Sequence, residues 1–275
     1  MANMMKPSIC NELFLSPIEE TFKIASKIGY KGVEIAPFTL IDDVRKFTDG
    51  DASFLRNLAA SNGMEIVGTH WILVSPPGLH LTHPDVVIRR RTKEYLMEVV
   101  RFTANINGKI VVLGSPKQRS ILDGVSGDEA WRLAKEALTD CCNLAERLDV
   151  HICIEPLSRS QTNFINTADE AIRMVKEVGS KSLKITLDVY SMSDEAKPLD
   201  CIITSAGSLL GHFHANDTNG RGPGHGNADY HAIFRALGRI GYDGYVSVEV
   251  FDRFKDPVSI AEESLNTLKP FLSLC

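Results

Sequence analysis

Glu155, Asp188, His214 and Glu249 each close a short apolar run of the chain: Ile-Cys-Ile-Glu, Ile-Thr-Leu-Asp, His-Phe-His and Ser-Val-Glu. Three carboxylates and an imidazole supply hard oxygen donors and one borderline nitrogen. That set suits one divalent metal ion (Mn, Mg, Co or Zn) with positions left open for substrate. Gathered in an apolar cup without a cation, like carboxylates would be forced to take up protons. The plain alternative is four separate surface or salt-bridged residues. A metal chelated by a substrate carbonyl and the adjacent hydroxyl polarises the carbonyl and acidifies the neighbouring C–H. One carboxylate can then take that proton and a second, on the opposite face, can return it. The chemistry expected is isomerisation or epimerisation through a metal-bound enediolate, with loss of water from a similar intermediate as the variant.

The elements that must position these groups are visible as an alternation. Short β-branched runs recur at Lys6–Cys10, Gly32–Ala36, Glu65–Thr69, Ile110–Gly114, His151–Ile154, Lys184–Asp188, Gly211–Ala215 and Tyr245–Val250, each followed by a stretch of helical period. Ser16-Pro17-Ile18-Glu19 reads as a capped helix start with a capping box; Ser126 with Glu129 and Thr167 with Glu170 repeat the box, and Asp256-Pro257 is another cap. Glycines 29, 63, 179 and 241 mark helix ends. Near-continuous apolar strands are those buried on both faces of a parallel sheet. An open nucleotide-binding sheet would want a glycine-rich turn after its first strand, whereas here that strand runs into Cys10-Asn11-Glu12-Leu13-Phe14. The reading is an α/β protein, a single-domain (β/α)8 barrel over residues 1–275, whose active face is the C-terminal end of the strands. Polar residues close every run: besides the four above, Asn11, Glu12, Glu34, His70, Trp71, Ser115, Lys117, Arg119 and His212.

Composition narrows the partners. The chain has 275 residues, 44% hydrophobic, with a formal net charge of −5. A mildly acidic protein lacks the basic field that holds phosphate backbones, so nucleic acid is disfavoured. No run approaches the roughly 20 apolar residues that span a bilayer, and Met1 to Pro7 lacks the apolar stretch of a secretory signal, so no membrane partner is expected. The six cysteines show no C-x-x-C pairing and read as reduced core residues of a cytoplasmic protein. Self-association into a homo-oligomer is left open.

At these strand ends the chain resembles the xylose isomerase-like barrel superfamily, closest to its ketose 3-epimerase and hydroxypyruvate isomerase branch. The resemblance runs from Asn11-Glu12-Leu13-Phe14 to Ser247-Val248-Glu249-Val250-Phe251. It rests on Gly32-Val33-Glu34-Ile35-Ala36-Pro37-Phe38, Gly114-Ser115-Pro116-Lys117-Gln118-Arg119, Ile154-Glu155-Pro156-Leu157, His214-Ala215-Asn216-Asp217 and Arg221-Gly222-Pro223-Gly224-His225-Gly226. It implies that Glu155, Asp188, His214 and Glu249 are the metal ligands, that Glu155 and Glu249 also form the acid–base pair, and that Arg221 faces substrate oxygens. The substrate implied is a ketose or a related sugar- or polyol-derived hydroxy-ketone.

Two positions depart from the family pattern. Asp-x-x-His after strand six has become Asp188-Val189-Tyr190-Ser191, and a glutamate after strand five has become Gln161. Ser191 and Gln161 therefore stand where substrate contacts are expected, together with His70, Trp71, His212 and Arg221. Trp71 is read as a pocket wall, and His212 as a neighbour of His214 or a packed core histidine. Lys117 and Arg119 are read as anion contacts or rim ion pairs, and the prolyl loop from Ser75 to Pro84 as a partial lid or a plain surface loop. Three further functions were weighed: an inosose-type dehydratase, a metal-binding barrel with little activity because Ser191 and Gln161 replace the usual contacts, and a DNA-repair endonuclease. The last is disfavoured because it needs three metals and the histidine that Ser191 replaces.

Overall fold

The β-branched runs form eight strands: β1 (Lys6–Cys10), β2 (Gly32–Ile35), β3 (Glu65–Thr69), β4 (Ile110–Leu113), β5 (His151–Ile154), β6 (Leu183–Asp188), β7 (Leu210–Ala215) and β8 (Tyr245–Val248). In the computed structural model, which describes residues 5–272, they pair in sequence order, all parallel. Pairing of β8 with β1 closes the barrel. Each strand lies within two residues of the run that foretold it. Glu155 and Glu249 fall one residue past the ends of β5 and β8, where the backbone leaves the sheet and the side chains are free to converge.

Helices α1 (Ile18–Ile28), α2 (Asp49–Ser61), α3 (Val86–Asn105), α4 (Gly127–Leu148), α5 (Ala168–Val178), the short α6 (Val189–Met192), α7 (Leu199–Ala206), α8 (Tyr230–Arg239) and α9 (Pro257–Leu268) accompany the strands. The amphipathic helices bury apolar residues such as Phe22, Leu96, Leu138, Met174, Phe234 and Ile260 against the sheet. Such burial is worth about 1.5–3 kcal/mol for each large side chain. The capping boxes act locally. Thr167 and Glu170 bond reciprocally at α5, Ser126 accepts from Glu129 N at α4, and Asp256 caps α9. Thr48 and Asp51 form a box at α2 that the sequence reading passed over. Ser16 is a correction. Pro17 occupies the N-cap of α1 with no side-chain cap bond, and the Ser16 hydroxyl pairs with Thr21 instead.

Of the cysteines, Cys10, Cys141, Cys142 and Cys153 are buried free thiols, as expected, whereas Cys201 on α7 is exposed; Cys275 lies outside the described residues. Among the described residues no helix is long and apolar enough to cross a membrane.

Candidate active site

Four consecutive strand positions from β5 to β8 bring Glu155, Asp188, His214 and Glu249 together. One donor atom from each lies within 4.8 Å of the others, and all four residues are buried. Asp188 and His214 are register partners on β6 and β7, just past an irregularity between Ile185 and Thr186. Around His214 Nδ1, Glu249 Oε2 stands at 2.9 Å and Glu155 Oε1 at 3.2 Å. Asp188 is held from two sides: Ser191 N donates to Oδ1 over 2.7 Å, and Asn216 Nδ2 donates to Oδ2 over 2.5 Å.

This arrangement demands positive charge at its centre. Burial raises the pKa of Asp188, and Glu155 and Glu249 add to the effect. Burial likewise raises Glu249 against the pull of His214. Burial penalises a charged His214, but Glu249 and Glu34 outweigh it and lift the ring well above the usual histidine range. Glu249 Oε2 is buried without a hydrogen-bond partner. A proton on Nδ1 relieves part of this strain, and a divalent cation would relieve more of it. The donors also fit one geometrically, since metal–donor distances of roughly 2.0–2.6 Å make a shell about 4–5 Å across.

The residues beside the cluster have distinct placements. A narrow cleft is lined by His70, Trp71, Gly114, Glu155, Gln161 and Glu249, among others. Trp71, half-buried, donates its indole N–H to Glu249 Oε1 over 3.0 Å. The side-chain oxygen of Gln161 accepts from the backbone N–H and the hydroxyl of Ser158. Ser191 is buried, and its hydroxyl has no partner. Arg221 is half-exposed, ion-paired to Asp252 at 2.8 Å with its guanidinium over the Phe254 ring, and does not line the cleft. A larger hollow at the opposite end of the strands is lined mainly by apolar side chains such as Val67, Ile110 and Tyr245.

His70 lines the cleft although its ring is buried, whereas His212 lies outside that lining. His212 is fully buried, and its Nε2 donates to Glu34 Oε2 at 2.8 Å. His70 donates from Nε2 to Glu12 Oε2 at 2.8 Å, and its Nδ1 is 3.7 Å from Glu34 Oε1. Burial opposes the charged His70 ring, but Glu12, Glu34 and Glu249 outweigh it and raise its pKa to about 9. Glu34 is the residue whose importance the sequence did not disclose. Burial opposes its ionisation, yet His212 and His214 hold its carboxyl well below the usual carboxylate range. Its sequence signal was an acid set inside Gly-Val-Glu-Ile, a run otherwise apolar.

Arg119 is a correction. Expected as an anion contact or a rim ion pair, it is fully buried and donates to the carbonyls of Leu113 at 3.1 Å, Glu155 at 2.6 Å and Ile165 at 3.3 Å. The Leu113 and Ile165 carbonyls also accept the backbone N–H of Glu155 and Leu157, so the guanidinium takes their second lone pairs and caps the Glu155 carbonyl from inside. Burial pulls its pKa down to about 10. Lys117 remains exposed. The loop after β3 is tied down rather than free: Ser75 Oγ donates to Asp42 O at 2.5 Å, His80 N to Thr92 Oγ1 at 2.8 Å and Leu81 N to Gln118 O at 2.7 Å.

Known proteins share this fold and sequence. The profile of the xylose isomerase-like TIM barrel family matches residues 22–271. D-psicose 3-epimerase of Agrobacterium fabrum is 30% identical over 230 residues, covering 82% of this chain and 76% of that one. The 3-dehydro-D-guloside 4-epimerase of Escherichia coli is 33% identical over 275 residues, covering 96% and 99%. A solved D-psicose 3-epimerase from Clostridium cellulolyticum, with D-tagatose, superposes with a TM-score of 0.85 at 24% identity, covering 98% of this chain and 99% of that one.

Proposed function

The chain belongs to the xylose isomerase-like TIM barrel family, and we propose that it is a metal-dependent sugar epimerase acting at a carbon next to a ketone. The observation that carries this reading is that Glu155 and Glu249 stand on either side of one imidazole nitrogen, His214 Nδ1, at 3.2 and 2.9 Å. The similar proteins named above are, by name, epimerases that invert a centre adjacent to a ketone, which supports the same class here.

Glu155, Asp188, His214 and Glu249 would hold a divalent cation, which when bound polarises a ketone and its neighbouring hydroxyl. Glu155 and Glu249 approach from β5 and β8, so they can address opposite faces of a carbon placed between them. One carboxylate oxygen takes the carbon-bound proton while the C–H electron pair passes into the carbonyl group. The other carboxylic acid then returns a proton to the opposite face, inverting the centre. Trp71 holds Glu249 by Oε1 and leaves Oε2 for this exchange. Gln161 lines the cleft and would border the substrate, and Ser191 puts a buried, unpartnered hydroxyl beside Asp188.

The test is exchange of carbon-bound hydrogen in D2O, followed by NMR, with Mn2+-loaded protein and a panel of ketoses and keto-glycosides. Exchange next to the carbonyl is expected. It should fall about 100- to 10,000-fold in Glu155→Gln and in Glu249→Gln, with metal occupancy measured alongside. A metal-replete double Gln variant that still exchanges at the wild-type rate would overturn the assignment.

A further inference from the structure

We infer that Glu34 is the positioning residue that presents His214 to the metal, by holding a proton on Nε2 so that Nδ1 keeps its lone pair. This rests on the metal reading above. Glu34 lies on β2, three strands round the barrel from β7, and is fully buried. Its Oε1 and Oε2 stand 3.2 and 3.3 Å from His214 Nε2, and Oε2 is 2.8 Å from His212 Nε2. An ionised carboxylate only accepts hydrogen bonds, so each of those nitrogens must be a donor. A histidine bound through Nε2–H then offers Nδ1 as the free donor, and that nitrogen faces Glu155 and Glu249. A carboxylate or carbonyl behind a metal-bound histidine selects the tautomer in this way.

The spacing in β7 accounts for the shape of the arrangement. Residues two apart on a strand share a face, so His212 and His214 both point into the barrel and compete for the same acceptor. A carboxylate can serve both, because it has two oxygens and no hydrogen. A glutamine at 34 offers one acceptor oxygen and an N–H2 group. With its oxygen toward His212, the N–H2 group takes the Oε1 place and faces the His214 Nε2–H donor against donor. That conflict is relieved when the proton moves to Nδ1, where the cation should sit. The Cys10 thiol, 3.9 Å from Oε2, is too long and weak a donor to change this balance.

The experiment compares wild type, Glu34→Gln and Glu34→Asp, with the fold verified by circular dichroism. Mn2+ affinity is measured by calorimetry and the histidine rings by 15N NMR, metal-free and Zn2+-loaded. Glu34→Gln is expected to bind Mn2+ about 10- to 100-fold more weakly. Its His214 Nε2 proton, slow to exchange in the wild type even without metal, should be lost or exchange rapidly. Glu34→Asp keeps an acceptor-only group and should recover part of both signals, which serves as the test if the glutamine variant does not fold. Affinity within about twofold of wild type together with an unchanged Nε2 proton in Glu34→Gln would overturn the inference. A wild type that takes up no metal would sink the reading of the site itself, while the metal-free Nε2 signal would still judge Glu34.

Discussion

Trp71 and Glu249 are 178 positions apart in sequence, yet the indole N–H of one donates to Oε1 of the other over 3.0 Å. Trp71 pays for this with a left-handed backbone at φ 52°, a conformation that large side chains adopt only under constraint. A hydrogen bond to a charged group is worth about 1.5–3 kcal/mol. Trp71→Phe keeps the ring and removes the donor. It should lower kcat for carbon-bound hydrogen exchange by about 10- to 100-fold at unchanged metal stoichiometry. An unchanged kcat would mean that the bond plays no part in orienting Glu249.

Gly114 supports Glu155 by being absent. A Cβ there would lie 2.4 Å from Glu155 Oε2, well inside contact distance, so Gly114→Ala must displace the carboxylate. The atom met is the far end of a side chain rather than backbone, so the carboxylate can move at small cost to the fold. We expect weaker Mn2+ binding and slower exchange, both larger than the change in unfolding midpoint of the metal-free protein. Titration of the variant with Mn2+ would reveal the opposite outcome, wild-type affinity with a large loss of stability.

Ser191 holds a buried, unpartnered hydroxyl beside Asp188, where the family pattern has a histidine. An imidazole at that position would reach a substrate hydroxyl that serine is too short to meet. Ser191→His should therefore speed hydrogen exchange on small free ketoses severalfold, and more when combined with Gln161→Glu. If the wild type already turns over a free ketohexose well and Ser191→His slows it, serine is itself an adapted contact.

The Glu12–His70 pair gives a signed dependence of stability on pH. The folded-state pKa of His70 is about 9, above the unfolded value of about 6.5. The folded state therefore binds more protons between those limits, and stability must fall as pH rises through that window. The contribution is fully present below pH 6.5 and gone above about 9, on the order of 3 kcal/mol at 1.36 kcal/mol per pKa unit. Denaturant unfolding of the wild type and Glu12→Gln across this range should show the decline in the wild type and a flatter profile in the variant. Parallel profiles would remove Glu12 as the cause.

The barrel was legible because parallel strands buried on both faces must be written as apolar runs, and their polar ends then stand out one by one. The four residues that converge were legible for the same reason: Glu155, Asp188, His214 and Glu249 close four successive runs. Roles that depend on depth were not legible. His70, His212 and Glu34 all look like pocket residues in the sequence. His70 does line the cleft, but only packing shows that Glu34 takes as partners His212 and His214, three strands away. Arg119 misled for a related reason. A charged residue in a loop implies solvent or an anion, whereas here backbone carbonyls at the strand ends surround it. Ser16 failed because Pro17 fits equally well as the residue that starts α1.

The contributions are divided along the chain: Glu12, Glu34 and His70 come from the ends of β1 to β3, and the four converging residues come from β5 to β8. Gln161 sits in the loop after β5, and Ser191 in the short α6 after β6, where its N–H holds Asp188. On the proposed function, a library randomised at Gln161 and its loop would alter what the cleft meets while leaving the buried strand-end cluster and its Glu34 support in place.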